Sequence, residues 1–385
     1  MSSHQTAMLL TGNHACAWAA RLARPHVVPV YPITPQTPIL ELLTDFHANG
    51  DLQAEVLTPE SEHSVLSACV PASLAGARVF TATASQGVLL MHEVLHYASG
   101  ARAPIVMANV NRTVASPWAF WPDQTDSLAQ RDTGWLQFYV ESAQEALDTV
   151  LHAFRVAEQV QLPAMVNLDA FYVSHAVEPV QVPPQDLVDK YLPPYEPEHR
   201  LDTAQGSSWG NVVSAEMFYR HRQMIDDAMA RAIPLAQEAD REWAELTGRS
   251  WGVLERYRCD GAKAVIVTLG SMCGTARETV DALRAAGEAV GLVKLRLFRP
   301  FPLQALRVAL AGVPDVIVLD RNHSPGMGGI LHQELKAALY GMDAAPRLHG
   351  LLAGVGGVNV SPEAMAAMVR GALGAAPRVE STWTR

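Results

Sequence analysis

The sequence is poor in cysteine, and its few thiols are not clustered. Four cysteines are spread over 385 residues, and no two of them have the Cys-x-x-Cys spacing. An iron–sulfur cluster or a structural zinc ion needs several thiolates close together. We therefore expect neither group on this chain, assign no metal ligands to it, and expect the thiols to be buried and free. The cysteines are Cys16, Cys69, Cys259 and Cys273.

Charged residues are also scarce, at 18% of the chain against a usual share of about 25%. The net charge is −10 and no block of lysine or arginine stands out, which argues against nucleic-acid binding. No apolar run approaches the ~20 residues of a membrane span, and the N-terminus has no secretory signal pattern. We expect a soluble, cytoplasmic protein with much of its weakly charged surface covered by other chains.

Several motifs of nucleotide and hydrolase sites are missing. The chain has no Gly-x-Gly-x-x-Gly and no Walker A motif, and its junction Thr83–Gly87 is not a Gly-x-Ser-x-Gly elbow. The first of these absences argues against an ordinary dinucleotide-binding dehydrogenase. Gly-Asp-Gly is not found either, since Asp260-Gly261 follows Cys259.

The first 170 residues alternate between short apolar strands and amphipathic helices, and a second such unit begins near residue 261. This alternation predicts α/β units with parallel sheets covered on both faces. The predicted strands are 26–30, 54–57, 79–84, 104–110, 163–168, 264–269, 290–295 and 316–320. The predicted helices are 38–46, 59–75, 87–99, 143–160, 276–286 and 330–340.

The segment between the two units has a different character. It is rich in proline up to Pro197 and then shows Phe218, Ile225 and Met229 at helical spacing. A stretch of this length is too long for an ordinary loop. We interpret it as an extended arm that wraps a neighbouring chain, followed by a helical connector. The predicted domains are 1–176, 177–258 and 259–385.

Candidate functional residues lie in loops that follow predicted strands, where open parallel sheets place their sites. Three prolines stiffen Tyr31–Pro38 and would hold the hydroxyl of Thr34 in place. Glu62 lies in the first turn of the next predicted helix. Both have a structural alternative, because the loop would equally be a capped turn and Glu62 would equally oppose the helix dipole.

Two further loops follow the next strands. Ser85 and Gln86 lie in a strand–turn–helix junction whose small residues permit close approach of a ligand. Arg112 ends a strand and has the shape to grip a carboxylate with two hydrogen bonds. The aromatic residues of 118–121 would wall an apolar pocket or pack a subunit interface. Arg112 would equally suit a surface beside such an interface.

Eight motifs occur together along almost the whole chain. They are YPITPQTP (31–38), SEHS (61–64), TASQG (83–87), NRTVA (111–115), PDQTDS (122–127), QRDTGW (130–135), LRLFRPFP (295–302) and LDRNHSPGMGG (319–329). In this order the chain resembles the alpha subunits of 2-oxoacid:ferredoxin oxidoreductases, with QRDTGW most similar to the pyruvate and branched-chain branch. The resemblance implies a pyrimidine-binding domain followed by a transketolase-C-terminal-like domain.

The resemblance also implies a thiamine diphosphate enzyme that oxidatively decarboxylates a 2-oxo acid and passes the acyl group to coenzyme A. The family holds the diphosphate and Mg²⁺ on a beta subunit through Gly-Asp-Gly, which agrees with the absence of that motif here. Its iron–sulfur clusters lie on other chains, which agrees with the scattered cysteines. The implied assembly is a dimer of heteromers with beta, gamma and ferredoxin-like delta subunits. The terminal acceptor would be ferredoxin or, through a flavin subunit, NAD.

Roles carried over by motif place Glu62 at N1′ of the aminopyrimidine, with Ser85 and Gln86 also at the cofactor. Thr34 and Arg112 would hold the substrate, with Arg112 on its carboxylate. The implied catalytic residues are Glu62, Thr34 and Arg112, and the implied substrate contacts are Thr34, Arg112, Trp118 and Asp123. Pyruvate, a branched-chain 2-oxo acid and an aryl 2-oxo acid stay open as substrates. A non-catalytic scaffold subunit and a transketolase-type enzyme are the alternatives, and the latter normally carries Gly-Asp-Gly.

Overall fold

The computed structural model describes residues 5–384. Its strands are β1 (Thr6–Thr11), β2 (Val27–Pro29), β3 (Glu55–Leu57), β4 (Phe80–Thr83), β5 (Val106–Asn111), β6 (Leu136–Val140), β7 (Ala164–Asp169), β8 (Val177–Val182), β9 (Leu254–Tyr257), β10 (Ala264–Thr268), β11 (Val290–Leu295), β12 (Leu297–Arg299), β13 (Asp315–Asp320), β14 (Arg347–Leu352) and β15 (Thr382–Trp383).

The helices complete the α/β alternation. They are α1 (Gly12–Ala23), α2 (Thr37–Ala48), α3 (Glu62–Leu74), α4 (Gln86–Leu90), α5 (His92–Gly100), α6 (Thr125–Leu128), α7 (Ala143–Val160), α8 (Gln185–Tyr191), α9 (Ala215–Thr247), α10 (Met272–Ala285), α11 (Leu303–Leu310), α12 (Ile330–Leu339) and α13 (Pro362–Leu373). Among residues 5–384, none of these helices is long and apolar enough to cross a membrane.

The first sheet has the strand order β12-β6-β7-β5-β4, and β4, β5, β7 and β6 run parallel. A parallel pair, β2 and β3, extends it through a bridge between Val27 and Val79. Every residue of β5 and β7 is buried. Helices α1, α2 and α7 cover one face of the sheet, and α3 and α5 cover the other. The predicted parallel sheet with helices on both faces is confirmed.

The second sheet has the order β15-β14-β13-β10-β11-β9, with β9 antiparallel to β11. Helices α10 and α13 pack on one face, and α11 and α12 pack on the other. The two units are joined by β12, which follows β11 but pairs antiparallel with β6 of the first sheet. This strand exchange anchors the second unit to the first at one edge.

The segment predicted to be an arm packs in large part on the first unit. Strand β8 pairs antiparallel with β1, and the buried side of α9 joins the core that α1 and α7 form. Pro179 lies within β8 of this two-stranded pair, and the prolines that follow it up to Pro197 lie around the short helix α8, where a missing backbone donor is tolerated. Residues 198–214 have almost no regular structure and are mostly exposed. The three-domain division stays a prediction.

Several element boundaries differ from those predicted. Helix α3 begins at Glu62 and not at Pro59, because the side chain of Ser61 accepts the amide of Ser64 as the N-cap. The helix predicted over 87–99 is divided at Met91 into α4 and α5. The elements that were not predicted are strands β1, β6, β8, β9, β12 and β15 and helices α1, α6, α8, α11 and α13. The four cysteines are free and buried, as predicted.

Candidate functional site

The site residues lie where the parallel strands β4 and β5 end side by side. Thr83 of β4 pairs in register with Asn109 of β5, so the loops after the two strands leave the sheet at the same edge. Ser85 and Gln86 follow β4, and Arg112 follows β5. Parallel strands thus bring together residues that are far apart in the sequence, as expected for an open α/β sheet.

Arg112 joins three of the four predicted loops. Its side chain donates from Nη1 to the carbonyl of Thr34 at 2.6 Å and from Nη2 to Oε1 of Gln86 at 2.5 Å. Its guanidinium carbon lies 4.7 Å from the centre of the Trp118 ring, and the residue is 6% exposed. Burial lowers the pKa of Arg112, while the charges of Asp126 and Glu62 raise it. The guanidinium is therefore held in one place by neutral acceptors.

Glu62 is the first residue of α3 and is 8% exposed. Its carboxylate lies against Gly87, where an added Cβ would sit 2.8 Å from Oε1 of Glu62 and 2.3 Å from Oγ1 of Thr83. No side chain fits in that gap, so a glycine is required for the start of α3 to approach α4 this closely. The structure brings Glu62 to the same edge of the sheet as Arg112.

Ser85 has a strained backbone, with φ 49° and ψ −121°. Its amide donates to Oδ2 of Asp126 at 2.9 Å, and its hydroxyl lies 2.5 Å from the carbonyl of Thr113 and from Oε1 of Gln86. The hydroxyl of Ser85 thus points at acceptors within the chain. Gln86 uses its own Oε1 to receive Arg112.

The aromatic loop, residues 117–122, is divided between two surroundings. Trp118 and Phe120 are about half exposed and stack edge to face, 5.0 Å between centroids, with Trp118 over Arg112. Trp121 packs instead on Phe171 and Tyr172, at 5.2 and 5.8 Å. Trp118 is therefore the aromatic residue of this loop that lies on Arg112.

Asp123 makes a local contact. Its Oδ1 accepts the amide of Thr125 at 2.9 Å, at the start of α6. Burial raises its pKa, and its hydrogen bond to Thr125 opposes that shift. The Asp123 carboxylate makes no hydrogen bond to Arg112 among the residues described, and its contact with substrate stays a prediction.

The sequence analysis missed Asp126, which is fully buried in α6. Its Oδ1 accepts Nδ2 of Asn111 at 2.6 Å and the amide of Ser127 at 2.7 Å, and its Oδ2 accepts the amide of Ser85 at 2.9 Å. Burial raises its pKa to about 7 against the lowering effect of these donors. The residue belongs to the motif PDQTDS, but an acid in a short helical turn looks like an ordinary cap.

The second α/β unit reaches the site through Asp169 at the end of β7. This carboxylate accepts Nη1 of Arg321 at 2.9 Å and both the amide and the hydroxyl of Ser271, at 2.9 and 2.6 Å. The other oxygen of Asp169 accepts a hydrogen bond from the side-chain Nε2 of Gln124. The backbone amide of Gln124 donates to the carbonyl of Arg321. The loop that carries Asp126 is thereby fixed to the second unit.

The expectation of no metal site rested in part on the histidines lacking the His-Glu-x-x-His spacing, and that reading of the sequence was wrong for α5. His92-Glu93-Val94-Leu95-His96 has the His-Glu-x-x-His spacing that binds zinc in metalloproteases. The two imidazole rings pack edge to face, 5.1 Å between centroids. In the part of the chain that the structure describes, no group of three or more His, Cys, Asp or Glu is placed to hold a metal ion. The spacing alone supports no metal site.

Comparisons with known proteins agree with this arrangement. Residues 18–241 match the family described as pyruvate flavodoxin/ferredoxin oxidoreductase, thiamine diphosphate-binding, and residues 262–365 match pyruvate:ferredoxin oxidoreductase core domain II. The chain is 47% identical to pyruvate synthase subunit PorA of Methanothermobacter thermautotrophicus, over 94% of each chain. It belongs to the alpha-subunit family of 2-oxoacid:ferredoxin oxidoreductases.

A second relative of this chain is named for ketoisovalerate and not for pyruvate. Ketoisovalerate oxidoreductase subunit VorA of Pyrococcus abyssi is also 47% identical, over 91% of this chain and 89% of its own. Among solved structures, a 2-oxoglutarate:ferredoxin oxidoreductase from Magnetococcus marinus has a TM-score of 0.71 at 19% identity, over 96% of this chain and 66% of its own. A split-gene transketolase has a TM-score of 0.51 at 14% identity, over 95% of this chain and 98% of its own. These two structures show the likeness of fold.

The residues at the strand ends fit the pyrimidine half of thiamine diphosphate. Thr83 Oγ1 and Arg112 Nε are buried and have no hydrogen-bond partner among the residues described. They lie beside the narrow gap over Gly87 and at the Arg112 guanidinium, so polar groups are left for a ligand to satisfy. A carboxyl group such as that of Glu62 can accept a hydrogen bond from an aminopyrimidine or donate one to its ring nitrogen, so the residue type fits this ligand.

Proposed function

We propose that this chain is the alpha subunit of a coenzyme A-acylating 2-oxoacid oxidoreductase whose substrate is pyruvate or a branched-chain 2-oxo acid. The observation that carries the proposal is the junction of Arg112 with Thr34 and Gln86, close to Glu62, at the ends of β4 and β5. A non-catalytic scaffold would have no need to keep a buried arginine in this arrangement. The identities to PorA and VorA are equal, so they support both substrate classes alike.

Glu62 is proposed to bind N1′ of the aminopyrimidine and to hold a proton there. When bound, thiamine diphosphate supplies the carbon nucleophile that attacks the oxo group and takes up the electron pair left by decarboxylation. A carboxyl group at N1′ favours the imino form of the ring, which is the form that can accept a proton from the thiazolium. Burial of Glu62 against Gly87 of α4 keeps water away from this contact.

Arg112 is proposed to bind the substrate carboxylate. A guanidinium offers donors in a fixed fork that matches a carboxylate, and the fork of Arg112 is oriented by Thr34 and Gln86. Trp118 covers the guanidinium from one side and is proposed to limit the space for the substrate side chain. An aryl 2-oxo acid would need that ring and Phe120 to move or to stack upon it.

The site needs partner subunits to be complete. We propose a beta subunit that holds the diphosphate and Mg²⁺, and gamma and ferredoxin-like delta subunits, with iron–sulfur clusters on partners and ferredoxin or NAD as acceptor. The absence of Gly-Asp-Gly from this chain supports a separate beta subunit for the diphosphate and Mg²⁺. The four buried free thiols support iron–sulfur clusters that lie on partner subunits. Leu57 and Leu90 are exposed on the elements that flank Glu62, which supports a protein covering there. A cytoplasmic location stays a prediction.

The proposal is tested on the complex that copurifies with this chain. We expect dye reduction that requires coenzyme A and a 2-oxo acid, and we expect it from the complex but not from this chain alone. Pyruvate, 2-oxoisovalerate and phenylglyoxylate are compared at equal concentration by kcat/KM. Preference for one of the first two is expected, and preference for phenylglyoxylate would replace them by the aryl substrate. A complex without activity on any 2-oxo acid would contradict the proposed function.

A further inference from the structure

The buried carboxylate of Asp126 lies next to the candidate site, and its hydrogen-bond partners are all neutral N–H groups of backbone or side-chain amides. Oδ2 accepts the amides of Ser85, at 2.9 Å, and Arg112, at 3.3 Å. Oδ1 accepts Nδ2 of Asn111 and the amide of Ser127. Nδ2 of Asn109 also donates to Oδ2, at 3.5 Å. A buried carboxylate surrounded by five N–H groups is satisfied without a cation, because each donor favours its charged form.

The backbone amides of Ser85 and Arg112, which donate to Oδ2, lie in loops that follow two different strands. Ser85 follows β4 and Arg112 follows β5, and one carboxylate oxygen receives both. Asp126 therefore fixes the distance between the two loop starts after the sheet hydrogen bonds have ended. The guanidinium of Arg112 then reaches Gln86, the residue next to Ser85, to close a ring of contacts.

The backbone of Ser85 shows what this carboxylate holds in place. With φ 49° and ψ −121°, Ser85 has a conformation that residues with a Cβ avoid, and such strain persists when neighbouring contacts impose it. Two contacts impose it here. The backbone amide of Ser85 donates a hydrogen bond to Asp126, and the hydroxyl of Ser85 donates one to the carbonyl of Thr113. Without the carboxylate, the Ser85 amide would be buried without an acceptor and the turn would relax.

We propose that Asp126 is a positioning residue that fixes Arg112 and the Ser85–Gln86 turn in the arrangement that binds the 2-oxo acid carboxylate. The inference rests on the proposed function, since it concerns the substrate arginine of that reaction. Asp126 touches neither substrate nor cofactor in this account. It acts through the two backbone amides, so its loss should weaken substrate binding more than coenzyme A binding.

The test measures KM for pyruvate and for coenzyme A, and kcat, in complexes that carry Asp126→Ala or Asp126→Asn. Alanine removes both acceptors, and we expect KM for pyruvate to rise about tenfold or more. Asparagine keeps one acceptor oxygen, so a smaller rise in KM is expected. KM for coenzyme A should stay within about twofold of the wild type in both variants, which general misfolding would not produce.

Asp240→Ala is the matched control. Asp240 lies on α9 and is also a buried carboxylate. It accepts hydrogen bonds from the hydroxyl of Ser250 and the backbone amide of Trp251, and none from a candidate site residue. Its loss should lower the melting temperature without changing KM for pyruvate. If Asp126→Ala fails to assemble, Asp126→Asn and Asn111→Ala decide. Asn111→Ala removes the side-chain donor that orients the Asp126 carboxylate towards the two backbone amides, so it is also expected to raise KM for pyruvate.

Two failures are distinguishable. A wild-type complex without 2-oxo acid-dependent dye reduction would contradict the proposed function. An active wild type whose folded Asp126 variants keep the KM for pyruvate would overturn the positioning role alone. If Asp126→Ala does not fold, unchanged KM in both Asp126→Asn and Asn111→Ala would overturn it equally.

Discussion

The side chain of Arg112 is oriented by hydrogen bonds to uncharged groups, so its position depends on the planar shape of the guanidinium as well as on its charge. Nη1 and Nη2 donate to two neutral acceptors, the carbonyl of Thr34 and Oε1 of Gln86, so the guanidinium is oriented by geometry and not by an ion pair. A lysine at this position would keep the charge but offer one compact donor group in place of the planar fork. The two side chains should therefore differ strongly in substrate binding.

Arg112→Lys is predicted to lower kcat/KM for the 2-oxo acid by about 10- to 100-fold, mostly through KM, because the two-point grip is lost. The measurement is steady-state kinetics of the assembled complex with pyruvate and 2-oxoisovalerate. Arg370→Lys is the control, since Arg370 lies on the surface in a pair with Glu288. Equal kinetics of Arg112→Lys and the wild type would remove Arg112 from the substrate site.

Single residues at the strand ends were open to prediction from sequence, but their supports were not. Arg112 and Glu62 stand out because polar side chains directly follow apolar strands or open a helix. Asp126 gives no such signal, because its partners Ser85 and Arg112 are 41 and 14 positions away and meet it through their backbone amides. Hydrogen bonds to distant amides leave no mark on local residue type.

At the scale of elements, the approach of α3 to α4 is what sets the place of Glu62. The start of α3 is capped by Ser61, and the first turn of α4 contains Gly87, against which Glu62 packs. The space between the two helices is so small that one added methyl group would meet Thr83 and Glu62 at less than contact distance. This close approach makes Gly87 a sensitive position.

Gly87→Ala is predicted to raise the concentration of thiamine diphosphate needed for half-maximal activity about tenfold or more, because Glu62 must move to admit the new methyl group. Overpacking of this kind also costs about 1–3 kcal/mol of stability. The measurements are activity against cofactor concentration and thermal unfolding of the complex. Gly100→Ala on α5 is the control, since a Cβ there meets nothing within 4 Å. Unchanged cofactor dependence in Gly87→Ala would contradict the account of this gap.

The strands and helices that sequence could predict are those with strong local patterns. The buried strands β5, β7 and β11 were predicted nearly to their ends because β-branched and apolar residues fill them. The pair of β1 and β8 was missed, since Thr6 pairs with Val182 and such antiparallel pairing depends on tertiary contact. The start of α3 was misplaced because Pro59 imitates the first residue of a helix.

At the scale of the whole molecule, the two α/β units form one support for the site. Strand β12 pairs with β6 of the other unit, and Lys294 of β11 donates to Glu145 of α7 at 2.7 Å in the buried region between them. Asp169 adds its bonds to Ser271 and Arg321 next to the loop of Asp126. No local sequence pattern predicts such long-range contacts, although the presence of two α/β units was predictable.

This chain holds the candidate site residues together, and two exposed leucines lie on the elements beside them. Glu62, Arg112 and Thr34 are arranged by the chain itself, while Leu57 and Leu90 face outward near the start of α3. The scarcity of charge and of clustered thiols in the sequence fits a subunit whose reaction is completed by other chains. The central claim is that the proton held at Glu62 is essential to the reaction of that assembly.

The most direct test compares complexes that carry Glu62→Gln or Glu60→Gln with the wild type, by pyruvate- and coenzyme A-dependent dye reduction at saturating thiamine diphosphate. Glu60 precedes the same helix and is exposed, so it controls for the loss of a charge there. Glutamine cannot exchange the proton at N1′, and Glu62→Gln is predicted to lose at least ~100-fold in kcat. Glu60→Gln is predicted to keep the wild-type rate. Full activity of an assembled Glu62→Gln complex would contradict the account.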